Sequence, residues 1–285
     1  TGNEYTAVLN IRLPRIVPAR LVGCCLSSAG AAYQGVFQNP MASPDVLGAS
    51  SGASFGVALA ILAGGGNQGT TLSAFFWSLA TVVLVYLVGQ RAPGDRVLNL
   101  VLAGMVISSL FTAATSYLKL VADPTNQLPE ITYWLMGSLS GTRLADVARI
   151  APAMAAGLLP LFLLRWKLNL LTLGDDEARA MGVNYLDFYT ADPEVCATLV
   201  TAASIAVSGM IGWVGLVVPH LCRKLVGSNF KVLLPCSMLA GAAFLLLVDN
   251  LSRNLLATEI PIGILTAFTG APFFLYLMLR KGGAR

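Results

Sequence analysis

Residues Val97 to Val121 read VLNLVLAGMVISSLFTAATSYLKLV, an apolar stretch whose one charge is Lys119. As an α-helix it would extend about 37 Å, enough to cross a hydrocarbon core of about 30 Å. Scanning outward in both directions predicts about nine such segments. They run Ile16–Val36, Val46–Ala63, Thr71–Gly89, Val97–Val121, Asp146–Arg165, Val195–Gly212, Trp213–Val226, Val232–Val248 and Ile262–Leu279. The seventh is short and contains Pro219. The 285 residues are 56% hydrophobic and 11% charged, with mean hydropathy +0.72. An ordinary soluble domain carries about a quarter charged residues. The expectation is an all-α polytopic membrane protein forming one domain, 1–285, with halves 1–145 and 146–285.

The charges set an orientation. If the end bearing Arg280, Lys281 and Arg285 is cytoplasmic, eleven of the 18 basic residues share that side, as the positive-inside rule prefers. Arg12, Arg15, Arg20, Lys119, Arg143, Arg149 and Arg253 then face outward and need another explanation. No run of five like charges marks a nucleic-acid partner. The acidic residues fall in loops or at segment edges, Asp146 and Asp249 nearest the membrane, so no carboxylate is expected at mid-bilayer. That weighs against an ATP-independent secondary transporter or channel, the alternative reading.

Cys24, Cys25, Cys196, Cys222 and Cys236 lie in or beside apolar segments without a C-x-x-C pair, and read as small buried hydrophobes rather than a zinc site or disulfide framework. No P-loop or catalytic triad is present, so neither ATP hydrolysis nor a bound cofactor or metal is expected of this chain. Ser50-Ser51-Gly52-Ala53-Ser54 forms a small-residue face suited to helix packing, and Gly64-Gly65-Gly66 a short turn. The chain opens at Thr1 on a polar stretch, and a preceding hydrophobic segment is expected to be missing. Gly30, Pro40 and Gly48 are spaced as Gly209, Pro219 and Gly227, on stretches starting from opposite sides of the membrane. This suggests an inverted repeat, whose halves enclose a substrate path in transporters.

Five stretches in order carry a resemblance: Ile11–Arg15 (IRLPR), Gln38–Ala53 (QNPMASPDVLGASSGA), Leu173–Val183 (LGDDEARAMGV), Ser208–His220 (SGMIGWVGLVVPH) and Ile260–Phe274 (IPIGILTAFTGAPFF). Together they resemble the permease subunits of binding-protein-dependent ABC importers for ferric siderophores, haem and cobalamin, the FecCD type. The resemblance implies a type II importer fold with about ten helices per subunit, the first absent here. It also implies a homodimer in the bacterial inner membrane, two ATP-binding cassette subunits holding ATP and Mg, a periplasmic or lipid-anchored solute-binding protein, and a metal chelate as cargo.

By itself Leu173–Val183 is a charged connector with acids in a helical first turn. The resemblance makes Leu173, Gly174, Asp175, Asp176, Glu177, Ala178, Arg179, Met181 and Gly182 the surface that couples to the ATPase. It places Arg12, Arg15 and Arg253 against acidic lobes of the binding protein; the alternative for Arg12 and Arg15 is that they anchor a helix at the headgroup level. Asn39, Pro40, Gly48, Pro219, His220 and Gly227 are expected at helix breaks, His220 in a structural role rather than as a metal ligand. Met105, Tyr117, Trp134 and Met136 could line a path or merely pack. Asp192-Pro193-Glu194 departs from the pattern, which carries basic residues and continuous helix there.

Overall fold

A computed structural model describes residues 12–172, 193–256 and 258–281. The described residues form helices α1 (Leu13–Val36), α2 (Ala49–Leu62), α3 (Asn67–Arg91), α4 (Arg96–Val121), α5 (Gln127–Leu135), α6 (Leu144–Leu163), α7 (Arg165–Leu171), α8 (Pro193–Ser208), α9 (Val214–Val226), α10 (Phe230–Asn254) and α11 (Ile262–Lys281), with a 3₁₀ turn at Pro44–Leu47. Five of these helices are long and apolar enough to cross a membrane, and α2, α8 and most of α11 are shorter apolar helices. Helices are the expected answer in lipid, where every backbone N–H and C=O must be satisfied within the chain.

Helix α1 is the hub. It packs against α6, α7, α8, α9 and α10, and its face from Ala29 to Tyr33 is almost wholly buried. Small residues make this possible. A Cβ on Gly30 would stand 1.8 Å from the Gly215 carbonyl oxygen of α9, and one on Gly23 would stand 2.2 Å from that of Gly241 on α10. Between them the Ser27 hydroxyl lies 2.7 Å from the Ser237 carbonyl, and Tyr33 and Thr198 share a 2.6 Å hydroxyl contact with α8.

The two ends of the bundle carry different contacts. At one end Arg15 of α1 meets Asp249 and Glu259. At the other, Asn169 accepts from the Phe230 amide at 2.8 Å and Arg223 donates to Gln34 at 3.0 Å. Among the described basic residues, Arg15 and Arg253 thus lie at one end and Arg165 and Arg223 at the other.

Two expected segments differ from the structure. The second begins not with regular helix but with the 3₁₀ turn, and α2 starts at Ala49 after Gly48, which is left-handed at φ 77°. The sixth ends at Ser208, because Gly209 (φ 67°) and Trp213 (φ 69°) break the helix before α9. Apolar composition alone bridged that break. Helix α5 was not anticipated, since Glu130 and Pro129 interrupt its apolar pattern.

The repeat also needs correcting in its register. Gly30 lies inside α1 whereas Gly209 ends α8, and Pro40 sits in a turn whereas Pro219 lies within α9. The matched spacing is therefore coincidental. The repeat resides in element order instead: α1 to α4 have 24, 14, 25 and 26 residues, α8 to α11 have 16, 13, 25 and 20. Each short second helix follows a left-handed N-cap, Gly48 or Trp213.

The close approach of α1 and α9 makes a prediction. Gly30→Leu should cost more than about 3 kcal/mol, because the obstacle is backbone and cannot rotate away. Gly66→Ala, whose added Cβ meets nothing within 4 Å, should stay within about 0.5 kcal/mol. Thermal unfolding of the purified variants in one detergent reads both.

Candidate docking face and mid-membrane break

Arg15 lies one turn into α1, whose start is preset by Pro14. Its Nη1 and Nη2 donate to the two carboxylate oxygens of Glu259 at 2.5 and 2.9 Å, and its Nε donates to Asp249 Oδ1 at 3.3 Å. Arg253, one turn beyond Asp249 on α10, meets Asp249 Oδ2 at 3.2 Å. The Asp249 side chain is fully buried, so two guanidinium groups converge on one desolvated carboxylate. Such a charge is tolerated only because it is paired. Glu259 stands in the connection from α10 to α11, which is tied back by the Ile260 amide donating to the Ser252 carbonyl at 3.2 Å. Hydrogen bonding from Arg15 holds the Glu259 carboxyl below its ordinary value near 4.5, against a smaller opposing effect of burial.

Of the three arginines expected to meet a partner, Arg12 is exposed at the head of α1. Arg15 and Arg253 are brought together, but onto this chain's own acids. Sequence reasoning missed Glu259 and Asp249 as their partners. The i,i+4 spacing of Asp249 and Arg253 was a usable signal; the link from Arg15 across 234 residues was not.

A second feature lies halfway across the bundle. Gly48 packs on Thr81 and Ser108, which are central in α3 and α4, and Gly215 packs on Leu26, central in α1. Both half-length helices therefore begin at mid-depth, α2 running toward the Arg15 end and α9 toward the opposite one. Their starts enclose an open cavity of about 190 Å³, lined among others by Ser43, Asp45, Ser50, Thr201 and Trp213. Converging half-helix N-termini at the midplane are a recurrent device of inverted-repeat transporters. Asp45 accepts a hydrogen bond from Ser50, placing its carboxyl beside the α2 N-terminus. This corrects the expectation that no carboxylate reaches mid-bilayer: Asp45 was read as a segment edge because the helix break after it has no hydropathy signature.

The remaining expected residues fall as follows. Asn39 and Pro40 shape the exposed turn after α1, with Asn39 Oδ1 accepting from the Met41 amide at 2.9 Å. Gly227 caps α9 at φ 82°, Pro219 is buried in that helix, and His220 beside it is half-buried. Met105 and Tyr117 are exposed on α4 and Met136 at the end of α5, while Trp134 packs against the core, so the four do not share one pocket. Leu173 to Val183, and with it every residue expected to couple to an ATPase, lies outside the described residues. Pro193 opens α8 and Glu194 sits in its first turn, positions that suit a proline and an acid.

Comparison with known proteins decides the family. A model described as the FecCD transport family matches residues 1–280. The chain belongs to this family. It is similar to the molybdate import system permease protein of Haemophilus influenzae, 41% identical over 98% of this chain and 83% of that one. It is also similar to the hemin transport system permease of Yersinia pestis, 40% identical over 96% and 83%. A solved structure of a metal-chelate type ABC transporter in an inward-facing conformation superposes with TM-score 0.91 at 40% identity, covering 98% of this chain and 89% of that one. As a FecCD member the chain is an ABC importer permease, a transport protein rather than an enzyme.

Arg15→Gln should destabilise by about 2 kcal/mol, since it strips one partner from a buried carboxylate and leaves Arg253 as the other. The Glu259 contribution has a definite sign. Because the folded-state pKa is lowered, its stabilisation is present above the ordinary glutamate value and is lost as pH falls through the folded value. Melting curves of wild type and Glu259→Gln between pH 7 and pH 4, in steps of about one unit, should therefore converge at the acid end.

Proposed function

We propose that this FecCD permease carries an iron chelate, a ferric siderophore before haem or cobalamin, inward across a bacterial inner membrane by alternating access. Two copies form the path, and a pair of ATP-binding cassette subunits drives it from Leu173–Val183. A solute-binding protein, periplasmic or lipid-anchored, delivers the cargo to the outer end at Arg12, Arg15 and Arg253. The family match over residues 1–280 is the observation that carries this reading.

Two structural features support it. The outer end presents a dense cluster of arginines where the positive-inside rule disfavours them, and complementary charge at such a face steers and orients an acidic partner. Exposed apolar side chains on α4 and α11, including Leu110, Tyr117, Phe268 and Leu279, offer a surface for a second copy within the bilayer. Alternating access then follows as rocking of packed helices about the mid-depth break.

A molybdenum oxyanion is the second reading for the cargo, favoured by the 41% identity to the relative named for molybdate import. Relatives named for haem and cobalamin stand within one percentage point of it, so identity does not rank the cargoes.

The test is purification of the tagged chain from its native membrane in mild detergent. An ATPase subunit and a solute-binding protein should co-purify, and metal analysis of the binding protein should find iron rather than molybdenum. Recovery of the chain alone with ion-driven uptake would overturn the energy source. Converting Arg12 and Arg15 to Glu should weaken docking of that binding protein and flatten its salt dependence, read by surface plasmon resonance. Unchanged docking would remove both arginines from the interface.

A further inference from the structure

Arg15 is already fully engaged. A guanidinium grips a carboxylate best through two parallel N–H groups, and that fork is filled by Glu259 at 2.5 and 2.9 Å. A docking partner's carboxylate can use Arg15 only if something leaves. The two acids of the cluster differ in how readily they could do so. Asp249 is fully buried and held by Arg253 as well, whereas Glu259 is 37% exposed and sits on a connection rather than in a helix.

We propose that Glu259 is an internal stand-in for the partner's carboxylate: docking displaces it from Arg15, and the displacement releases the connection between α10 and α11. This rests on the docking reading above and adds to it a means by which the outer face registers the partner. The exchange trades one carboxylate for another on the same guanidinium, so it is near neutral in energy and can run in either direction. Its reach is set by what Glu259 also holds. Ser140, in the connection between α5 and α6, is near enough to that carboxylate to help hold its pKa down. Three residues beyond Ile260, Gly263 donates from its amide to the Gly137 carbonyl at 3.2 Å. Glu259 thus ties the connection leading into α11 to α1 through Arg15, the Gly263 amide ties the head of α11 to the connection between α5 and α6, and α11 packs through Gly270 on Trp213 at the mid-depth break. Losing the Glu259 contact loosens the outer end of a helix whose middle touches the break.

The cluster also accounts for its own neutrality. Arg15 and Arg253 against Asp249 and Glu259 sum to zero charge, so at rest these four add little net attraction and exposed Arg12 carries the steering toward an acidic partner. Replacing Glu259 by Gln leaves one net positive charge and frees the fork.

The test uses the full chain in phospholipid nanodiscs, titrated with the binding protein that co-purifies with it. Glu259→Gln should bind about three- to tenfold more tightly than wild type and with a steeper salt dependence. Adding Arg15→Gln to that variant should abolish the gain, the coupling expected of residues in direct contact. Glu130→Gln, an exposed acid on α5 that does not touch Arg15, should leave affinity near wild type. If Glu259→Gln proves too unstable to reconstitute, Glu259→Asp, which keeps the charge on a shorter arm, should show a smaller gain of the same sign. Unchanged or weaker binding by the Glu259 variants, with wild-type docking intact, would overturn the exchange and leave the docking reading standing. An equal gain from Glu130→Gln would reduce the effect to bulk charge and overturn it too. Absence of docking by wild type and every variant would overturn the docking reading itself, and the exchange with it.

Discussion

Close backbone contact around α1 is the constraint on which the rest depends. In lipid there is little hydrophobic drive to bring helices together, since the acyl chains are as apolar as leucine; packing and interhelical hydrogen bonds must do it. Gly23 and Gly30 remove the side chains that would hold α10 and α9 away, and Ser27 places a hydroxyl against the Ser237 carbonyl in the space gained. Once α1 is central, α8 and α9 must lie beside it, and the chain between them has to turn within the bundle. The break at Gly209–Trp213 is the consequence.

That break and its counterpart at Gly48 place two helix starts at mid-depth with opposite directions. Each start leaves backbone N–H groups without helical partners, and near the α2 start the chain sets Ser43, Asp45 and Ser50, which bond to one another. A bundle with a polar cavity at its middle and half-length helices on either side is more easily rearranged as rigid pieces than as a continuous core. Trp213, a bulky residue held left-handed at φ 69°, carries backbone strain that its packing on Gly270 sustains. It stands where the cavity between the helix starts meets α11.

The outer charge cluster connects this interior to the surface. At an outward end its arginines would run against the positive-inside preference, and the fold offsets their charge with acids of the same chain, one buried and one exposed. A permease needs an outer face that recognises a partner without being locked to it. On the exchange proposed above, a guanidinium shared between buried Asp249 and part-exposed Glu259 would meet both needs.

Much of this was legible from residue order. Val97–Val121 and its companions announced membrane helices because span length is fixed by bilayer thickness, and the five motif stretches pointed to the family that the whole-length match then established. Composition pointed to a protein that crosses a membrane, and charge asymmetry set the expectation for which end faces out. Only the tertiary structure decided that Asp45 lies at mid-depth and that Arg15 and Arg253 close on Asp249. It also decided that the repeat runs through helix lengths and left-handed caps rather than through the spacing of Gly30, Pro40 and Gly48. Hydropathy is a local average that does not register a helix break between apolar residues. An ion pair between α1 and α10 depends on which helices become neighbours, which no local pattern encodes.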